Sequence, residues 1–266
     1  MTRKAKHRAL LMGLLFTSPF TVGFAAFTLY PLLASLYYSF TEYAILTAPR
    51  WVGLRNYVEL FANDKLFWTS LSNTLYFTLL AVPSNLLASL ALAMALNVQL
   101  RGMSVYRTIY FLPTLVPTVA LATLWLWMFN PQYGILNGLL HAIGLPGPTW
   151  LADIRLVKPA LVLMGLWCIG QTVVIFLAGL QDVPTQIYEA AEIDGANSLQ
   201  KAVYVTMPML TPVILFNLIM GIIGGFQYFT QAYIMTNGGP VNASLFYALY
   251  LYRNGFQYVK MGYASA

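Results

Sequence analysis

Long stretches without charge set the frame of this chain. Five of them, residues 9–39, 70–98, 108–129, 159–180 and 209–234, contain no Asp, Glu, Lys, Arg or His. A helix crossing the hydrocarbon core of a bilayer needs about 20 consecutive apolar residues. Each run is long enough. Inside lipid a single segment satisfies its backbone only as a helix, so the runs predict five spans despite their Tyr, Phe and Val content. Pro19, Pro83, Pro113, Pro117 and Pro212 fall in or near these spans and are expected to mark kinks.

Composition agrees with the pattern. Of the 266 residues 59% are hydrophobic, 15% aromatic and only 8% charged, with a mean hydropathy of +0.67. Soluble domains carry about 25% charged residues, so a soluble enzyme, a disordered chain, a disulfide scaffold and a nucleic-acid binder are all excluded. The single Cys168 permits no internal disulfide. Net charge is +6, and it is read through topology rather than as a polyanion site. Arg3, Lys4, Lys6 and Arg8 precede the first span, and the short segment 99–107 holds Arg101 and Arg107 with no acid. That density places the N-terminus in the cytoplasm. The first run is twice the length of a signal-peptide core, which favours an anchored helix over a cleaved leader. Trp125, Trp127 and Trp150 sit where an interfacial aromatic belt is expected, although the first two equally suit helix contacts. The last six residues, 261–266, read as the beginning of another span, so a sixth helix is expected to be missing.

Catalytic chemistry finds no foothold. No Gly-Lys dipeptide exists to build a phosphate-binding loop. His7, His141 and Cys168 lie on three separate elements, which leaves no metal constellation and no nucleophile–base pair. The spans hold no ionisable residue for a proton relay.

The segment between spans four and five is the most informative. Pro184 suits the first turn of a helix and Asp182 complements its positive end. Ile187, Ala190, Ala191 and Asp194 share one face, and Gly195 is placed to end the helix in the left-handed conformation. Asn197 with Gln200 forms a capping-box start for a second helix that Pro208 closes. Glu189, Glu192 and Asp194 crowd acid where short cytoplasmic loops favour bases. The segment is either a solvated turn or a docking knob for a soluble partner.

Glu189-Ala190-Ala191, three residues, Gly195, nine residues, then Val205-Thr206-Met207-Pro208 resembles the EAA loop of ABC importer permeases. Ile and Leu in the family pattern are replaced by Val205 and Met207, which keep the apolar character. Tyr106 to Pro113, Phe129-Asn130-Pro131 with Gly134, Phe226-Gln227 and Met235 to Pro240 are similar to the carbohydrate and glycerol-phosphate class, in particular to the first permease of a maltose-type pair. The resemblance implies an all-α, type I ABC importer permease fold in one domain, 1–266, with five complete helices and the start of a sixth. It implies a path shared with a second permease, two copies of an ATPase that bind ATP and Mg, and an extracytoplasmic solute-binding protein delivering a sugar or polyol phosphate. On this chain it implies no cofactor. Glu189, Ala190, Ala191, Asp194, Gly195 and Pro208 would then contact the ATPase.

For the solute path, Asn217, Gly221, Gly224 and Tyr228 fall on one stripe of span five, with Gln227 beside it. Aromatic and amide groups suit sugar hydroxyls, whereas the glycines equally suit helix packing. Trp167, Gln171, Asn73 and Asn85 are weaker candidates. The competing reading is a stand-alone secondary carrier or facilitator; a membrane-embedded enzyme and a purely structural subunit rank below it.

Overall fold

The computed structural model describes residues 3–98 and 100–266. Gln99 lies outside the described residues, as do the side chains of residues 3–10, among them His7 and the basic cluster Arg3, Lys4, Lys6 and Arg8. The chain is mostly helical, at 72%. Its Cα positions group into two compact units, Met1–Phe67 with Leu251–Ala266, and Trp68–Tyr250.

The first unit begins with α1 (Arg3–Phe24), a π turn Ala25–Leu29 and α2 (Tyr30–Ser39). Leu11–Ser39 is one uninterrupted stretch, apolar enough to cross a membrane, and its most apolar eighteen residues are not buried within the chain. Pro19 does not break it. Its missing N–H frees the Leu15 carbonyl, which instead accepts from the Ser18 hydroxyl at 2.8 Å. After the helix, β1 (Thr41–Glu42) pairs antiparallel with β2 (Arg50–Trp51), Thr41 opposite Trp51. Then come α3 (Arg55–Val58) and a second π turn, Glu59–Asn63. The Asn56 amide donates to the carbonyls of Ser39 and Thr41, both at 2.9 Å, and ties α3 to the hairpin. The end of the chain returns to this place. The Gly262 N–H donates to the Tyr43 carbonyl at 3.0 Å, and a Cβ on Gly262 would collide with the Thr41 carbonyl. Only glycine lets the backbones come that close.

α4 (Lys65–Leu96) is a 32-residue helix whose start is capped by the Asp64 carboxylate, accepting from the N–H groups of Leu66 and Phe67. Its other end is closed by the Arg107 guanidinium, which donates to the Leu96 carbonyl at 2.8 Å. Pro83 sits inside it without interrupting it. The second unit continues with α5 (Met103–Phe111), a 3₁₀ turn Leu112–Leu115, α6 (Thr118–Met128), α7 (Ile135–Ala142), α8 (Val157–Trp167) and α9 (Gly170–Gln181). After the elbow described below, α13 (Thr211–Phe226) and α14 (Thr230–Met235) follow, then α15 (Tyr247–Tyr252), and α16 (Met261–Ser265) in the first unit.

The five expected spans therefore take two forms. Leu11–Ser39, Lys65–Leu96 and Thr211–Met235 are long enough to cross singly. The third and fourth are bent pairs, Met103–Leu115 with Thr118–Met128 at 97° and Val157–Trp167 with Gly170–Gln181 at 53°. The first bend has a sequence cause, since Pro117 provides no N–H and holds an extended ψ of 139° before α6. The second contains no proline. At this bend the two segments come close: a Cβ on Gly170 would lie 2.6 Å from the Tyr110 carbonyl and 2.9 Å from Phe111 Cα, and the Cys168 thiol meets the Pro113 carbonyl at 3.7 Å. The two bends nest in each other.

Packing at the centre of this unit joins α4, α9 and the start of α13 through Leu90, Ala93, Leu96, Val173, Phe176, Leu180 and Leu210. Phe176 is fully buried there, and Gly179 lets α9 approach Leu210 and Val213 closely. In lipid such contacts hold helices by van der Waals packing rather than by escape from water. Truncating a buried Phe typically costs about 3–5 kcal/mol. Of the tryptophans, Trp125 is a packing residue, 4% exposed and set against Phe129 and Trp167. Trp127 is 71% exposed, and the Trp150 indole donates to the Asn137 side chain at 2.8 Å.

Candidate functional site

Two features of the second unit carry functional potential, an elbow and a cavity. The elbow comprises α10 (Thr185–Ile193), α11 (Ser198–Lys201), a π turn Ala202–Thr206 and α12 (Met207–Met209). Pro184 precedes α10 in extended conformation, with ψ of 130°. At the far end Gly195 adopts φ +79°. Its N–H donates to the Glu192 carbonyl at 3.0 Å, and the Ala196 N–H donates to the Ala191 carbonyl at 2.9 Å. This pair of bonds is the Schellman stop, which requires the left-handed residue that glycine supplies without steric cost. Asn197 then opens α11 with a complete capping box: its side chain accepts from the Gln200 N–H, and the Gln200 side chain accepts from the Asn197 N–H. Lys201 pairs with Glu192, and the Tyr188 and Thr206 hydroxyls bond at 2.9 Å across the two arms.

Pro208 departs from its expected role. It does not close the second helix but sits in the first turn of α12. The π turn before it shifts the backbone register, and a first turn tolerates a residue without N–H. Glu189, Ala190, Asp194 and Gly195 are all exposed, with Ala191 half-buried. An added Cβ on Gly195 would meet nothing within 4 Å. Two apolar side chains that the sequence pattern left unmarked also stand out from the elbow, Ile193 at 86% and Leu199 at 73% exposure. Their signal was available, as apolar residues flanking the glycine stop. The acidic and alanine positions drew the reading elsewhere.

The cavity, about 430 Å³, lies among α4, the bend between α8 and α9, and α13. That is within the ~300–1,000 Å³ of small-ligand sites. Asn217, Gly221, Gly224 and Tyr228 all line it; Gln227 does not, and is exposed elsewhere. Gln227, expected beside the stripe, is the residue at which α13 ends. Asn85 and Gln171 join the lining, together with Thr172, Cys168 and Phe77. Trp167 and Asn73 are not part of it. The Asn73 amide instead donates to the carbonyls of Asn242 (2.8 Å) and Leu245 (3.2 Å), and its oxygen accepts from Lys158 at 2.9 Å. It fastens the loop after α14 to α4.

The glycines divide by contact. A Cβ on Gly225 would press into Thr78, and one on Gly221 would come within 3.0 Å of Val82, whereas Gly224 faces open space. Thus Gly225 and Gly221 are packing residues, and Gly224 shapes the cavity. The lining holds no charged side chain; its polar groups are amides and hydroxyls. Tyr228 packs its ring on Phe77 at 4.4 Å and Phe246 at 5.4 Å. Its hydroxyl is buried and has no hydrogen-bond partner, and the same holds for the Thr78 hydroxyl. Such orphans are rare and call for a reason.

Comparison with known proteins gives this geometry its context. Residues 86–266 match the family described as the binding-protein-dependent transport system inner membrane component. The chain belongs to that family. It is 42% identical over 260 residues to the probable ABC transporter permease protein YesP of Bacillus subtilis, covering 96% of this chain and 84% of the relative. The arabinooligosaccharides transport system permease protein AraP of the same organism is 35% identical over 257 residues, 95% of this chain and 81% of AraP. The lactose transport system permease protein LacF of Rhizobium radiobacter is 37% identical over 254 residues, 93% of this chain and 84% of LacF. A crystal structure of a bacterial alginate ABC transporter contains a chain with the same fold, at a TM-score of 0.83 and 23% identity, covering 99% of this chain and 88% of that one. This permease is accordingly a multi-pass inner-membrane component of a binding-protein-dependent ABC importer.

Proposed function

We propose that this permease forms, with a second permease subunit, the path by which a sugar or sugar-like polyol phosphate enters the cytoplasm. An ATPase dimer, which binds the ATP and Mg that this chain does not, drives the movement, and an extracytoplasmic binding protein delivers the solute. The N-terminus and the elbow face the cytoplasm, so the elbow meets the ATPase through Glu189, Ala190, Ala191, Asp194 and Gly195, with Pro208 at its base. One observation carries this reading: the elbow is closed by its own hydrogen bonds, at Gly195, Asn197 and Tyr188, while its outer face is left uncovered. A lever needs that combination of fixed shape and free surface. The uncharged amides, hydroxyls and aromatic rings of the cavity support passage of a hydroxyl-rich solute.

Replacing Gly195 with Asp tests the assignment in membrane vesicles holding the full importer. The chain itself has room for the side chain, and aspartate is among the residues that visit the left-handed conformation. Membrane insertion and accumulation are expected to stay near normal while sugar uptake uncouples from ATP hydrolysis. Normal coupled uptake by this variant would overturn the role given to the elbow.

A further inference from the structure

The first unit contains a cleft of about 700 Å³ that nothing above explains. Six charged side chains line it: Glu42, Arg50, Arg55, Glu59, Asp64 and Lys260. The whole sequence has fourteen bases and eight acids, so three of each gathered at one cleft is a strong concentration. Asp64 is engaged, as the cap of α4 and by the Tyr263 hydroxyl. Among the described residues none of Glu42, Arg50, Arg55, Glu59 or Lys260 is ion-paired. Tyr43, Tyr258 and Tyr263, with Thr47, Asn56 and Asn254, complete the polar lining.

The walls are built rigidly. Asn56 bonds to the Ser39 and Thr41 carbonyls, the Tyr263 hydroxyl donates to Asp64 at 2.6 Å, and Gly262 is held against Tyr43 and Thr41. Val259, also in the lining, adopts φ +58°. For a β-branched residue this is a true outlier, and such strain concentrates at ligand sites. The adjoining Lys260 N–H donates to the Asn254 carbonyl at 2.8 Å, which fixes the turn that brings Lys260 to the cleft.

We infer that this cleft binds a saccharide on the extracytoplasmic face, ahead of the membrane path. The inference rests on the proposed function, because a cytoplasmic N-terminus puts the residues that follow the first span outside. The charge pattern selects the ligand class. A sugar hydroxyl donates to a carboxylate and accepts from a guanidinium or ammonium, so a polyhydroxylated ring serves both signs at once with charge-assisted bonds. Inorganic phosphate would satisfy the three bases and be repelled by the three acids. Tyrosine rings add the apolar contact that sugar faces require.

The test uses the whole importer in proteoliposomes, with its second permease, ATPase and binding protein. Uptake of labelled lactose, maltotriose and digalacturonate first identifies a saccharide that it carries. Thr47, in the cleft lining, is then changed to Cys and labelled with a membrane-impermeant maleimide, the wild-type chain with its single Cys168 giving the background. Without binding protein, the carried saccharide is expected to slow labelling about tenfold at roughly ten times its Kd. Arg55→Ala or Glu42→Gln is expected to remove the protection. Unchanged labelling by a saccharide that the importer carries overturns the cleft and leaves the transport reading standing. Protection by inorganic phosphate, or by sugar-free binding protein alone, overturns the cleft as well. Failure to take up any of the saccharides, and glycerol 3-phosphate as well, overturns the proposed function, and this inference with it.

Discussion

Gly224 and Gly225 are neighbours in sequence with opposite surroundings, and a methyl group added to each separates stability from transport. At Gly225 the new Cβ would lie 3.0 Å from Thr78 Cγ2 and 3.1 Å from Thr78 Cβ, and closer still to the hydroxyl. Rotating Thr78 offers no escape, because its Cβ is itself too near. α13 must draw away from α4, and overpacking of this kind costs about 1–3 kcal/mol. Alanine returns about 0.8–1 kcal/mol of helix propensity over glycine at either position. Gly225→Ala is therefore expected to be neutral to about 2 kcal/mol destabilised, and Gly224→Ala stabilised by up to about 1 kcal/mol. At ~2–4 °C per kcal/mol the apparent Tm of Gly225→Ala in detergent should fall about 2–12 °C below that of Gly224→Ala. Uptake ranks by another criterion. Gly224→Ala pushes a methyl into the cavity, and one such group is worth about 1–3 kcal/mol of discrimination between solutes. Its KM for the transported sugar should change although the protein is the more stable of the pair. A Gly224→Ala protein less stable than Gly225→Ala, or one transporting as the wild type does, would refute the reasoning.

Other outcomes follow from single contacts. Tyr228→Phe removes a buried hydroxyl without a partner, so Tm should rise, while KM for the sugar rises about two- to tenfold, the worth of one neutral hydrogen bond. Asn73→Ala strands the Asn242 and Leu245 loop and the Lys158 ammonium, each unsatisfied group costing about 1–3 kcal/mol; solubilised protein should melt several degrees lower, with solute selectivity among surviving transporters unaltered. Asn197→Ala deletes the capping box for about 0.5–2 kcal/mol and should speed proteolysis within residues 182–208 in inside-out vesicles, with cleavage elsewhere unaffected.

How far the sequence reached depended on how local each cause is. The elbow was legible because its determinants lie within a few residues of one another: Pro184 before the helix, Gly195 at its end, Asn197 and Gln200 after it. The stripe of Asn217, Gly221 and Gly224 was also legible, since helical spacing alone puts these residues on one side, and the cavity lies there, with Tyr228 reaching it from just beyond the end of α13. Helical spacing could not show which glycine packs and which faces space; that depends on Val82 and Thr78, more than a hundred residues earlier in the chain. The bend at Cys168 was invisible for a related reason. It contains no proline, and what packs against it is the segment 110–114, some fifty residues earlier in the chain. Beyond Phe226, where α13 stops, the count of 3.6 residues per turn no longer decides placement: Tyr228 lines the cavity and Gln227, expected beside the stripe, does not. Ser18 explains why Pro19 leaves its helix unbroken, a compensation that depends on one rotamer rather than on pattern.

The nested bends of the third and fourth segments restrict what any pull on the elbow can accomplish. A straight rod among other rods can slip lengthwise; a hooked one catches. α9 runs twelve residues from the hook at Gly170 to the elbow, about 18 Å of stiff shaft. Traction applied at its lower end should therefore haul the neighbouring crooked segment along as well, and two strands of the wall would travel together where a smooth pair would part.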